Sequence, residues 1–103
     1  MSTKMVDAYK SLERRLGPMT LGFFIRAFRE ADEISQTEYA KKLKISRANL
    51  CDIEKGRKFV GPARAARIAK QMDVPEALLI RLAFQDLLRA AHLKFVVEVR
   101  EVS

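Results

Sequence analysis

Apolar residues recur at intervals of three and four along most of this chain, and residues that commonly cap helices stand between the repeats. Thr20 precedes a stripe that runs from Leu21 to Phe28, and Pro62 and Pro75 each stand where a later stripe begins. The stripes predict helices over about 4–16, 20–32, 35–44, 46–55, 62–72 and 75–92. We therefore expect an all-α core of five helices over 20–91, with an extra N-terminal helix.

Two of the predicted helices are short and close together. Ser35 is the expected N-cap of the first, with Glu38 as its capping-box partner three residues on. Ser46 is the expected N-cap of the second, and Gly56 can supply its left-handed end. Because the first helix ends near Lys44, a turn of about three residues joins the two, which is the connection found in DNA-binding helix pairs.

The C-terminal part of the chain predicts an interface with a second copy. The last helix carries more apolar residues than one buried stripe needs, and residues 93–102 alternate between apolar and polar as a half-buried strand does. A lone strand has unpaired backbone groups, which a second chain can satisfy across a twofold axis. The residues expected at this homodimer interface are Leu79, Ala83, Leu87, Phe95, Val97 and Val99.

Basic residues are concentrated in the middle of the chain. Residues 41–70 contain ten Lys or Arg and two acidic residues, so this segment carries +8 and the remainder carries −1 of the total of +7. A basic segment of this kind favours phosphate binding through counterion release, although charge alone is equally typical of a solvated helix face. No apolar run is long enough to span a bilayer, no signal peptide is recognised, and the single Cys51 cannot form an intramolecular disulfide. We therefore expect a cytoplasmic chain that does not enter a membrane.

The sequence contains no recognisable catalytic or metal-binding pattern. His92 has no second histidine, cysteine or paired carboxylate at ligand spacing, and Cys51 is expected to be an ordinary thiol. A glycine-rich phosphate loop and a nucleophile elbow are both missing. Phe23, Phe24 and Phe28 are expected in the core, not as a platform for stacked bases. We expect a non-enzyme without cofactor or metal.

Residues of the two short helices and their neighbours resemble the Cro and phage-repressor-like (XRE) helix-turn-helix regulators. The resemblance covers roughly 20–80, and the matching residues are Ser35, Gln36, Ala40, Leu43, Ile45, Ser46, Leu50, Ile53, Glu54, Lys55, Gly56, Ile68 and Ala69. One departure is Lys44, because the family usually has a glycine there. A left-handed backbone at Lys44 would cost roughly 1 kcal/mol, so we expect a slightly reshaped turn.

The resemblance implies that the second short helix enters the DNA major groove while the first helix and the nearby loops contact phosphates. Arg47, Ala48 and Asp52 are then the base-facing candidates, with Ser46 and Asn49 beside the bases or the backbone. The implied phosphate contacts are Gln36, Lys55, Arg57 and Lys58. The family pattern also implies a buried ion pair between Arg29 and Glu54.

The function that the resemblance implies is a homodimeric regulator that binds a palindromic operator in double-stranded DNA and represses transcription, including that of its own gene. A second hypothesis is the antitoxin of a toxin-antitoxin pair, in which 4–16 or 93–102 would contact the toxin. A third is a protein-interaction module that keeps the fold but reads no DNA. Arg47 and Arg57 would be dispensable in that third case.

Overall fold

The computed structural model describes residues 19–102, together with Asp7, Ser11 and Arg14. Five helices follow one another within residues 19–102, and no strand is formed there. The helices are α1 (Leu21–Ala31), α2 (Gln36–Leu43), α3 (Arg47–Glu54), α4 (Pro62–Met72) and α5 (Glu76–Ala90). The predicted five-helix core is confirmed, whereas most of the predicted helix at 4–16 lies outside the described residues.

The first three helices begin at the hydroxyl side chains that the sequence predicts as caps. Thr20, Ser35 and Ser46 each accept a hydrogen bond from the backbone amide three residues on, at 3.0, 3.2 and 3.0 Å respectively. Each hydroxyl thus satisfies a backbone N–H that the helix itself leaves without a partner. Pro62 opens α4, where its fixed φ suits the first turn and its missing N–H removes no hydrogen bond. Local chemistry therefore fixes where these helices start.

The apolar faces of all five helices meet in one core, in which α4 packs along α5. Phe24 and Phe28 stack with ring centroids 4.3 Å apart, and Tyr39 is fully buried beside the same cluster. Phe23 was expected in this core, but its side chain is 46% exposed. It lies one residue before Phe24, about 100° around the helix, and so points away from the buried stripe.

Helix α1 crosses α3 at Gly22, a residue that the hydrophobic pattern does not single out. A β-carbon at Gly22 would collide with the carbonyl oxygen of Ile53 and would lie 3.0 Å from that of Glu54. Both obstacles are backbone atoms, so a larger residue could be accommodated only by moving α3 away from α1. The close approach of the two helices therefore depends on glycine at this position.

The turn between α2 and α3 is left-handed at Lys44, which has φ 59° and ψ 41°. The Lys44 amide donates to the Lys41 carbonyl at 3.1 Å, and the Ile45 amide donates to the Ala40 carbonyl at 3.0 Å. These are the two hydrogen bonds of a Schellman motif, which satisfy carbonyls at the end of α2. Lysine thus takes up the left-handed conformation, and the turn is not reshaped to avoid it.

The strand predicted over 93–102 is not supported, because these residues form no ladder with any described part of the chain. The chain reverses at His92, which has φ 58°, and the segment 93–102 (the tail) returns along α5. There the buried Gln85 amide donates to the Phe95 carbonyl at 2.7 Å and accepts from the Val97 amide at 2.8 Å. A strand needs a second backbone beside it. In this chain a side chain provides the two contacts instead.

The surplus apolar residues of α5 are partly covered by the chain itself. Leu79 and Ala83, expected at a dimer interface, are buried in the core, whereas Leu87 is 43% exposed. Val97 and Val99 are half-buried in the tail that returns along α5, and Phe95 remains 67% exposed. Several apolar side chains of α5 and the tail therefore remain exposed, namely Phe84, Leu87, Leu93, Phe95 and Val96.

Candidate nucleic-acid interface

Helix α3 has one buried side and one outward side. Leu50 and Ile53 point into the core, while Arg47 and Ala48 are exposed. The outward side, here called the reading face, consists of Arg47, Ala48, Cys51, Asp52 and Lys55. Cys51 was not among the predicted DNA contacts, although its spacing of three and four residues from Ala48 and Lys55 was visible in the sequence. The predicted base-facing residues thus share one accessible surface.

A buried ion pair holds α3 against α1. Arg29 donates through Nε to Glu54 Oε2 at 2.8 Å and through Nη2 to Glu54 Oε1 at 3.0 Å. The Glu54 side chain is only 2% exposed and that of Arg29 is 13% exposed, so the prediction of a buried pair is confirmed. The hydrogen bond to Glu54 is the main cause that raises the pKa of Arg29 above its usual value. Arg29 therefore stays charged.

Two further contacts join α2 and the loop before it to this ion pair. Gln36 Nε2 donates to Glu54 Oε1 at 3.0 Å, and Arg29 Nη1 donates to the carbonyl oxygen of Ile34 at 3.0 Å. Gln36, the predicted phosphate contact, is therefore held at the N-terminus of α2 by the same carboxylate that positions α3. One amide hydrogen of Gln36 is left for a phosphate oxygen, and the N-terminus of a helix favours an anion at this place.

The loop after α3 is also attached to the reading helix. Lys58 Nζ donates to Asn49 Oδ1 at 2.7 Å, and Arg57 Nη1 lies 3.6 Å from Asp52 Oδ1. The side chains of Arg57 and Asp52 are 63% and 42% exposed, so water screens this ion pair and it is inexpensive to break. The predicted phosphate contacts Arg57 and Lys58 thus lie directly beside Asp52, a predicted base contact, and Asn49, which was expected beside the bases or the backbone.

Tyr39 lies beneath this network on α2. Burial, with a smaller effect from Asp32, raises the pKa of Tyr39 well above its ordinary value. The hydroxyl is buried without a hydrogen-bond partner among the described residues. Tyr39 is therefore a neutral core residue that fixes α2, and it is not available to contact DNA.

Other kinds of site find no support in the part of the chain that the structure describes. No group of three or more histidine, cysteine, aspartate or glutamate residues there is placed to hold a metal ion. Among the same residues, no helix is both long and apolar enough to cross a membrane. Within the described residues, the exposed reading face and its basic surroundings are the surface best suited to a macromolecular ligand.

Comparison with known proteins agrees with this geometry. A family model described as a helix-turn-helix domain matches residues 20–82, a region that contains α1 to α4 and the first turns of α5. The chain belongs to the helix-turn-helix domain family. Comparisons with curated proteins and with solved structures gave no significant match. In helix-turn-helix domains the second helix of the pair docks in the DNA major groove, and that helix is α3 here.

The buried ion pair generates a stability prediction. Arg29→Ala removes two hydrogen bonds from Glu54 and strands a carboxylate that is 2% exposed, so we expect a loss of about 3 kcal/mol or more in the free energy of unfolding. Chemical denaturation monitored by circular dichroism measures this loss. The matched control is Arg26→Ala on the same helix, because the Arg26–Glu30 pair is 59% and 54% exposed and should barely change the stability. Equal effects of the two substitutions would contradict the role of burial.

Proposed function

We propose that this protein is a transcriptional regulator that binds double-stranded DNA as a homodimer on a palindromic operator. The observation that carries the proposal is the reading face, which is exposed, bordered by cations and held in place by the Arg29–Glu54–Gln36 network. A small protein that occupies promoter DNA represses by excluding polymerase. Its own promoter is the first target to examine.

The residues of the reading face suit particular base edges. Arg47, at the N-terminus of α3, can donate two hydrogen bonds to O6 and N7 of guanine, and the methyl group of Ala48 can contact the methyl group of thymine. Asp52 can accept a hydrogen bond from the amino group of cytosine. Such contacts distinguish one base pair from another, so they would supply the sequence preference.

The surrounding polar residues suit phosphates. Lys55 is the last residue of the reading face, and Gln36, Arg57 and Lys58 lie beside that face, where the DNA backbone would pass if α3 occupied the major groove. Arg57 would exchange its contact with Asp52 for a phosphate. That exchange leaves the Asp52 carboxylate free for a base, and it costs little because the ion pair is exposed.

Substitution of two arginines tests the division between base reading and phosphate binding. Arg47→Ala should weaken binding to the cognate site by roughly 1 to 3 kcal/mol and relax the preference at one base pair. Arg57→Ala should weaken binding to all sequences about equally and lower the salt dependence of log K by about one unit. Fluorescence anisotropy over a salt series, with the upstream DNA of the gene and a random duplex, gives both quantities. If neither substitution changes DNA binding, Arg47 and Arg57 are dispensable, as expected for a protein-interaction module that does not recognise DNA.

The homodimer part of the proposal rests on the free edge of the tail. The Phe95 carbonyl and the Val97 amide both bond to the side chain of Gln85. In an extended backbone, residues two positions apart direct their N–H and C=O groups to the same edge, as these two do. The backbone groups of Val96, Glu98 and Arg100 then point the opposite way, and they make no hydrogen bond with any described residue. A second tail laid antiparallel along this edge would pair these groups.

The charges of the tail favour one register for this pairing. If Val99 lies opposite the partner's Val99, Glu98 lies opposite the partner's Arg100, and the twofold axis repeats this pair. Centring the pair on Glu98 would instead bring two carboxylates together. Opposite charges across an antiparallel pair stabilise it, and like charges destabilise it.

Charge reversal tests the register. Glu98→Arg or Arg100→Glu alone would place like charges opposite each other twice per dimer, so we expect the dimer dissociation constant to rise by about tenfold. The double variant Glu98→Arg/Arg100→Glu exchanges the charges and should restore it. Sedimentation equilibrium measures the dissociation constants of the parent and of the three variants. A parent chain that is monomeric at all concentrations would contradict the homodimer, and a double variant no better than the single ones would contradict the register.

A further inference from the structure

A second basic surface lies next to the reading face, between the α2–α3 turn and α4. This surface, here called the basic groove, has a volume of about 660 Å³. One wall includes Lys44, Ser46 and Asn49, and the other includes Arg64, Arg67 and Lys70. No acidic side chain contributes to the lining. Four cations thus face one groove, although none of the four belongs to the reading face or to the predicted phosphate contacts.

The guanidinium groups of the groove are available to a ligand. Arg64 and Arg67 make no ion pair with any described residue, and they stand about one helical turn apart on α4. Lys70 lies 3.4 Å from Glu76, but the two side chains are 70% and 45% exposed, so this pair contributes little. Neighbouring cations without acidic partners repel one another, and a bound polyanion relieves that repulsion.

The groove also offers hydrogen-bond donors on the side of α3. Ser46 Oγ accepts a hydrogen bond from the backbone N–H of Asn49. The hydroxyl hydrogen of Ser46 can therefore be donated to a ligand. Asn49 Oδ1 accepts from Lys58, which leaves the Asn49 amide nitrogen to donate. Because α3 also begins at Ser46, its helix dipole adds partial positive charge at the same place.

The groove is continuous with the reading face, since Ser46 and Asn49 flank Arg47 and Ala48 on α3. A duplex docked on α3 would therefore carry its backbone past Lys44 and along α4. We propose that the basic groove binds the sugar–phosphate backbone of the same DNA duplex, beside the base pairs that α3 reads. This rests on the proposed DNA binding and extends the contact surface to Lys44, Arg64 and Arg67. An extended polyanion can meet both walls at once, which a single phosphate does not.

The test measures the salt dependence of binding to a random-sequence duplex of about 30 base pairs, for the full chain and its variants. In Arg64→Gln/Arg67→Gln two phosphate contacts are lost, so the fall in affinity from about 50 to about 200 mM salt should become roughly tenfold smaller than in the parent. Arg64→Lys/Arg67→Lys keeps the charges and should retain the parent's salt dependence. Arg26→Gln, which removes an exposed charge on α1 outside the groove, should also leave it unchanged.

The outcomes separate this inference from the function on which it rests. If the parent binds with a clear salt dependence and the glutamine double variant matches it, the groove is not a DNA contact, although DNA binding itself stands. If the lysine double variant loses as much as the glutamine variant, the arginines act through the fold and the inference is overturned. If the parent shows no salt-dependent binding to any duplex, the inference and the proposed function both fail.

Discussion

One buried carboxylate holds together the part of the molecule that matters for function. The side chain of Glu54 is 2% exposed and accepts hydrogen bonds from Arg29 on α1 and from Gln36 on α2, while Glu54 itself belongs to α3. Three helices thus meet at one charge. A buried carboxylate is tolerated only when its hydrogen-bonding sites are occupied, so each partner has little freedom to move. Arg29 also binds the Ile34 carbonyl, which fixes the loop between α1 and α2.

This constraint matters because α3 cannot fix its own orientation. It has 8 residues, which is too short for a stable helix in water, so its shape and direction must come from packing. Leu50 and Ile53 supply that packing on the inner side, and Gly22 lets α1 approach the backbone at the C-terminal end of α3. The outward residues are consequently presented by a rigid support, which lowers the entropy lost when they order on a ligand.

Features governed by local chemistry could be predicted from the sequence. Hydroxyl caps at Ser35 and Ser46 depend on backbone groups three residues away, and the helical stripes depend on the spacing of apolar residues. The Arg29–Glu54 pair joins distant positions, and it was predicted from the family resemblance and not from spacing. The residues assigned to bases and phosphates remain predictions, although the structure shows that Arg47 and Ala48 are accessible.

Features that depend on the approach of distant segments could not be predicted in this way. The need for Gly22 arises from backbone atoms of a helix about thirty residues later, which no helical pattern encodes. The alternation at Phe95, Val97 and Val99 is real, but Gln85 of the same chain contacts one edge of this segment, and no second backbone lies beside it among the described residues. The basic groove was missed because Lys44 and Arg67 belong to different helical segments that only the fold brings together.

Cys51 can report directly whether the outward side of α3 contacts DNA. It is the only cysteine in the chain, and it lies half-buried on the reading face between Ala48 and Lys55. The measurement is the rate at which a maleimide alkylates Cys51 with and without a saturating duplex at low salt, with a small free thiol as the control for any effect of DNA on the reagent. If the outward side of α3 contacts DNA, the duplex should slow alkylation at least about tenfold, and added salt should restore the rate as the complex dissociates. An unchanged rate on a saturated complex would show that DNA is bound elsewhere.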